Sequence, residues 1–348
     1  MSFYAPHDAL ELARLFQYHD ANCRHDLNQG FITSERDYVS NLATHLRYPT
    51  GSIQNSRIPS SVGLSQPTFD GSVASFTLPP VYEQKLGFDG IIILSLPTPD
   101  NSEVQYKIGL FEAKWPRMFG GHNHIYPTKT GNPDRWDSMN YSKTPPTPQS
   151  ASHFSQQLIR QHALAHTDLV LWEQFFSEEP VGSTSNADFK KLGSTCIFHD
   201  AAFQYMQHSK VLDPDNYTVK QVTWKRNDLA TMLNKGHPHA LARIIFGMAI
   251  CELGRPIIGD LNRVVVPPPP LPVPEGESAN TARAIGAFSN GITLNLPTAD
   301  PSSSAAVHET MRTYGLTNYT HISLSKEGII RAQREEKLEF LDEIIQSL

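Results

Sequence analysis

Four residues carry chemistry that the rest of the chain has to explain: Glu35, Asp89, Glu112 and Lys114. Asp89 opens the apolar run GFDGIIIL at 87–94, and Glu112 and Lys114 sit two apart inside YKIGLFEAKW at 106–115. A strand turns successive side chains to opposite faces, so Glu112 and Lys114 emerge together while Phe111 and Ala113 face the other way. An unpartnered charge on a buried sheet costs on the order of several kcal/mol, so such a pair demands a metal, a substrate or an opposite charge. Carboxylates at strand and helix ends are hard oxygen ligands suited to Mg2+. An ion held there makes its bound water more acidic, and a lysine beside it can orient that water. Each piece also has a plainer reading: E-x-K on one strand face serves as a cross-strand ion pair, and Asp-Gly commonly starts a turn. The weight lies in the set.

Positioning these residues requires a hairpin and a helix. Strands over 89–96 and 104–115 are joined by PTPDNSE, whose Pro, Asp and Asn mark a turn. Upstream, TSERDYVSNLATHLR reads as a helix with Ser34 as N-cap and Asp37 as its capping-box partner. Glu35 falls within the stripe formed by Tyr38, Val39, Leu42 and Leu46, which turns it inward; the alternative is a first-turn acid answering the helix dipole. Residues 6–20 form an earlier amphipathic helix, and 49–80 is a Ser/Pro/Gly/Thr-rich excursion with one short strand in FDGSVASFTLPP.

After the hairpin, 116–150 has little periodicity and many breakers, the pattern of a long functional loop. The spacing then predicts a helix over 152–176, a strand near 194–199, and helices near 227–234 and 238–253. VVVPPPPLPVPEGES at 264–278 favours extended polyproline conformation, and the chain closes on an amphipathic helix from 326. The order of elements predicts an α/β or α+β fold, a central mixed β-sheet flanked by helices. It divides into a main domain with the N-terminal helices (1–263), a Pro-rich linker (264–278) and a C-terminal helical extension (279–348) packed on the core.

Glu35, then GFDG, a hairpin and FEAK, followed by a Gln-bearing helix, resembles the PD-(D/E)XK nuclease superfamily over about 33–200. Phe88 stands where the motif's name has proline. The resemblance implies a restriction-endonuclease-like core and a metal-dependent nuclease, foremost a DNA endonuclease of restriction or defence type. It implies that Asp89, Glu112 and the carbonyl oxygen of Ala113 bind Mg2+ (or Mn2+), that Lys114 orients the nucleophilic water, and that Glu35 is an auxiliary ligand or an acceptor behind the ligands. A glutamine on the following helix often belongs to a QxxxY pattern; this chain offers Gln157 and Gln161 on one helix face beside Arg160, without the tyrosine, as phosphate contacts. Enzymes of this kind often cut two strands as homodimers.

The chain of 348 residues has a formal charge of −6, which excludes a polybasic or histone-like protein. From Lys114 to Arg160, however, Lys114, Arg117, Lys129, Arg135, Lys143 and Arg160 face only Asp134 and Asp137, a locally basic stretch suited to nucleic acid, DNA ahead of RNA. Trp115, Tyr126, Trp136 and Tyr141 lie in the same stretch and can stack on bases. His122 and His124 form an H-x-H pair without a third zinc ligand at a telling spacing. Cys23, Cys196 and Cys251 are too scattered for a disulfide framework and read as free thiols. With no ordinary signal peptide and no membrane span, the expectation is a cytoplasmic protein, unconventional secretion leaving no mark such a test detects. Two rival readings are a nuclease-like fold that binds nucleic acid or protein without catalysis, and an interaction protein whose Pro-rich segment docks an aromatic groove.

Overall fold

In the computed structural model, residues 2–47, 64, 67–78, 87–115, 153–162, 164–165, 168–176, 193–210, 224, 226–258 and 304–334 are described. In chain order these form α1 (Pro6–Asn28), α2 (Glu35–Arg47), β1 (Gly71–Thr77), β2 (Gly90–Pro97), β3 (Val104–Lys114), α3 (His153–His162), β4 (Val170–Phe175) and β5 (Thr195–Phe198). There follow α4 (His199–Lys210), α5 (Arg226–Lys235), β6 (His239–Ala240), α6 (Leu241–Ala249), β7 (Ile257–Ile258), α7 (Ser304–Tyr314), β8 (Asn318–Leu324) and α8 (Lys326–Gln333).

The strands make one mixed sheet in the order β1-β8-β2-β3-β4-β5-β6, with β7 also on β3. Pairs β2–β8 and β3–β4 are parallel and the others antiparallel. The length of β3 lets it serve two neighbours on one side: Gln105 and Tyr106 pair with β7, and Gly109–Lys114 pair with β4. Alternation sorts the side chains into two cores. Ile92, Leu94, Phe111, Ala113 and Trp172 face α1, α2 and α6, whose Leu12, Phe16, Tyr38 and Phe246 complete that cluster. Ile91, Ile93, Ile108, Leu110 and Leu171 face the other way, against Val307 and Met311 of α7. Beyond them Phe175 and Ile197 pack with Phe154 and Leu158 of α3 and with Phe203 and Leu229. The fold is therefore α/β, a mixed sheet flanked by helices.

The hairpin stands where its pattern predicts, with Gly90 opposite Phe111. A Cβ at Gly90 would enter the Phe111 ring and lie 3.1 Å from Cβ of Asn318, so glycine lets that ring lie across β2. The N-cap of α2 forms the expected box and extends it. Asp37 N–H donates to Ser34 Oγ at 3.0 Å, and the Asp37 carboxylate, bonded to Ser34, also accepts from the Thr33 hydroxyl at 2.9 Å.

Three predicted elements differ more. The helix expected over 152–176 stops at His162, and 170–175 is the buried strand β4. VLWEQF carries Val170, Trp172 and Phe175, which suit a strand, and pairing with β3 overrides the helical spacing it inherits from α3. The helix expected over 238–253 is α6 alone, ending before Cys251, which adopts a left-handed φ of 62°. The segment 279–348 is not a purely helical extension laid on the core. It supplies β8, inserted between β1 and β2 and paired with both along their lengths. The Pro-rich linker lies outside the described residues. Among the described residues no helix is long and apolar enough to cross a membrane.

Candidate metal centre

Hairpin register brings Asp89 to β3. Its N–H donates to the Phe111 carbonyl at 2.9 Å, and its Oδ2 accepts from the Ala113 N–H at 2.9 Å. The Asp89 carbonyl is held from the other side by Thr317 N–H at 2.8 Å, Asn318 N–H at 3.0 Å and the Thr317 hydroxyl at 2.9 Å. Asp89 is thus clamped between β3 and the lead into β8.

Glu35 comes from the opposite layer. One turn after it on α2, Tyr38 donates to Asp20 Oδ1 of α1 at 2.7 Å and stacks on Phe176, ring centroids 4.0 Å apart. Phe176 N–H in turn donates to the Lys114 carbonyl at 3.1 Å. These contacts fix the start of α2 against the ends of β3 and β4, and Glu35 Oε2 accepts from the Trp115 N–H at 2.9 Å.

One carboxylate oxygen each from Glu35, Asp89 and Glu112 lies within 4.8 Å of the others. Lys114 Nζ is 2.5 Å from Glu112 Oε1 and 3.8 Å from Glu35 Oε1. Glu112 is fully buried and Asp89 and Lys114 nearly so, whereas the Glu35 side chain is 37% exposed, so the cluster meets solvent at Glu35. Burial, then the neighbouring Asp89 charge, pushes the Glu112 carboxyl well above the usual range, against the pull of Lys114. Burial alone lowers the Lys114 pKa, but Glu112, Glu35 and Asp89 outweigh it and hold the ammonium protonated.

The donor set fits a hard divalent cation. Three acidic side chains crowd beside one ammonium, so ionising all of them calls for further positive charge, and the buried Glu112 Oε2 has no hydrogen-bond partner. A Mg2+ or Mn2+ ion would satisfy both conditions at once.

The glutamines of α3 are placed differently from the expectation that they meet phosphate. Both are fully buried: Gln157 Nε2 donates to Glu112 Oε1 and Gln161 Nε2 to the Gly87 carbonyl. Each directs an amide N–H at a segment that carries the acids, from a position closed to solvent. Gly87 permits this approach, with a left-handed φ of 76° and only 3.0 Å between an added Cβ and the Gln157 carbonyl oxygen. Arg160 is half-buried on the same helix, its Cβ over Gly87. Arg117, Lys129, Arg135, Lys143, His122 and His124 lie outside the described residues.

Two further residues belong to this neighbourhood and were not expected. Glu173 on β4 stands opposite Glu112 and is fully buried, and its Oε1 lies 3.1 Å from His199 Nδ1. The same nitrogen is 3.1 Å from Gln161 Oε1. Burial pushes Glu173 up to about 8, against Lys114 and a bond from Gln161, and pushes His199 down to about 4, against Asp200. Reading 170–175 as a strand would have put Glu173 on the face of Glu112; His199 carries no sequence signal.

Comparison with protein-family models, curated proteins and solved structures finds no match to this chain.

Proposed function

We propose that this chain is a metal-dependent nuclease of the PD-(D/E)XK type, hydrolysing phosphodiester bonds in DNA with Mg2+ or Mn2+. The observation that carries the reading is the convergence of Glu35, Asp89 and Glu112 beside Lys114, from two neighbouring strands and a helix of the opposite layer. The mixed sheet flanked by helices is compatible with a restriction-endonuclease-like core. DNA is favoured by the motif's resemblance and by the basic stretch from Lys114 to Arg160. A cytoplasmic location and a homodimer belong to the same proposal.

Asp89 and Glu112 would hold the ion, with the Ala113 carbonyl and Glu35 completing the protein's share. The ion supplies neutralisation of phosphate charge and a more acidic bound water. Lys114, kept protonated by its three acidic neighbours, presents N–H donors to the attacking water or to a phosphate oxygen. Gln157 occupies Glu112 Oε1 and leaves Oε2 for the ion. Substrate approaches from Glu35, the exposed member of the set.

The test is cleavage of supercoiled plasmid with Mg2+, Mn2+ or EDTA by the full chain, Asp89→Ala and Lys114→Ala, with fold checked by circular dichroism. Cutting that needs the ion and is lost in both variants supports the reading; cutting that persists in Asp89→Ala rejects the site. The near-complete burial of Asp89, Glu112 and Lys114 favours one second reading, a nuclease-like scaffold that binds without cutting. Failure to cut unmodified, methylated and single-stranded DNA or RNA, together with no heat of Mn2+ binding, would select it.

A further inference from the structure

We infer that His199 is a positioning residue for the metal centre, locking Gln161 and thereby the backbone that carries Asp89. The inference rests on the proposed metal-binding reading and identifies what holds that centre in shape.

The hydrogen positions follow from what each group is able to do. The Gly87 carbonyl only accepts, so the amide of Gln161 must turn its NH2 towards it. Gln161 Oε1 then faces His199 Nδ1 at 3.1 Å, and an amide oxygen only accepts. Nδ1 must therefore carry the hydrogen, and Glu173 Oε1, also at 3.1 Å, shares it. The bare nitrogen is Nε2, which is buried and has no partner. The polar work of this ring is done by Nδ1.

The consequence reaches the acids by two routes. Gln161 fixes the carbonyl of Gly87, two residues before Asp89. Gln157 lies one turn earlier on the same face of α3 and donates to Glu112, so a shift of Gln161 along or about the helix axis moves both contacts together. His199 is the first residue of α4 and Glu173 sits in the sheet, so α3 is tied to two elements that carry no ligand. The neighbouring rings of His162 and Phe203, with centroids 5.7 and 5.8 Å away, confine the imidazole to this orientation. Groups behind metal ligands commonly set affinity by about 10- to 100-fold, and His199 acts one step further back.

The test uses the full chain with His199→Ala, His199→Asn and His199→Gln, reading Mn2+ affinity by calorimetry, kcat and KM for plasmid cleavage, and thermal melts. The asparagine amide nitrogen can take the place of Nδ1, whereas the glutamine amide reaches the place of Nε2. Alanine and glutamine should weaken Mn2+ binding by roughly tenfold or more and lower kcat more than they raise KM, while asparagine restores most of both. A ring that only fills space would lower the melting temperature in all three and leave Mn2+ affinity unchanged, which would overturn the inference. So would rescue by glutamine equal to that by asparagine. If alanine fails to fold, the two amides, which fill more of the site, still decide. If the unmodified chain neither binds Mn2+ nor cuts, the nuclease reading fails first; if it does both and the variants match it, only the role of His199 fails.

Discussion

Glu112 and Glu173 stand opposite one another across the parallel register of β3 and β4, two fully buried carboxyls on one face of the sheet. Only Glu112 has a cation within bonding distance, Lys114 Nζ at 2.5 Å. Glu173 has a histidine that burial keeps neutral, so it has reason to retain its own proton.

That difference predicts a pH signature for Glu173→Gln. The carboxyl is raised from 4.5 to about 8 by burial, so its contribution to stability is fully present below pH 4.5 and is lost as pH rises through 8. Glutamine imitates the protonated acid and does not titrate. Urea unfolding should show the variant gaining on the parent by up to about 3 kcal/mol between pH 5 and pH 8. Parallel pH profiles for the two proteins would show that Glu173 is not the buried acid described.

Acid should expose the buried imidazoles. His321 is lowered from 6.5 to about 4 by burial, and His19 to about 3 by burial and then by the nearby His45. A depressed histidine stabilises fully above pH 6.5, and its share is lost as pH falls from 6.5 towards the folded value. The slope is about 1.4 kcal/mol per pH unit per group at most. His321→Gln should flatten the fall in unfolding free energy between pH 6.5 and 4, measured against the parent at each pH.

Arg331 of α8 joins the two ends of the described chain. It donates to both oxygens of Asp8, at 2.5 and 3.0 Å, and to Asp70 at 3.1 Å. Asp8 is buried, so Arg331→Ala strands a carboxylate and should cost roughly 2–4 kcal/mol in urea unfolding. Asp70 is 48% exposed, and Asp70→Ala should cost less than about 1 kcal/mol. Equal losses would contradict the asymmetry.

Gly90 and Phe111 form a size-matched pair beside the site. Gly90→Ala drives a methyl into the Phe111 ring, which stacks on Trp172 at 5.6 Å, and should cost about 1–3 kcal/mol. Phe111→Leu in the same chain should recover part of that loss, so that the double variant is less destabilised than the sum. Additive losses would show that the ring yields freely.

Local patterns made the heart of the fold legible. The apolar run GIIILSL predicts β2, the two-residue period of a strand puts Glu112 and Lys114 of YKIGLFEAK on one side, and the turn between the two strands follows from its residues. Glu35 is legible as a residue on the core stripe of α2. Elements whose identity depends on distant partners were not legible. VLWEQF continues a helical spacing until β3 is beside it, and 318–324 is too weakly patterned to announce a strand between β1 and β2. Glu173 was lost with its strand. His199 could be found only by geometry, because its meaning lies in a hydrogen bond to Gln161, 38 positions away.

The place of β8 has a consequence for biosynthesis. Asp89 receives its last backbone restraint from Thr317, 228 positions downstream, so a ribosome must pass that codon before the acids can settle. Contacts of such separation form late and slowly. The acid cluster would therefore be completed only once β8 has been made.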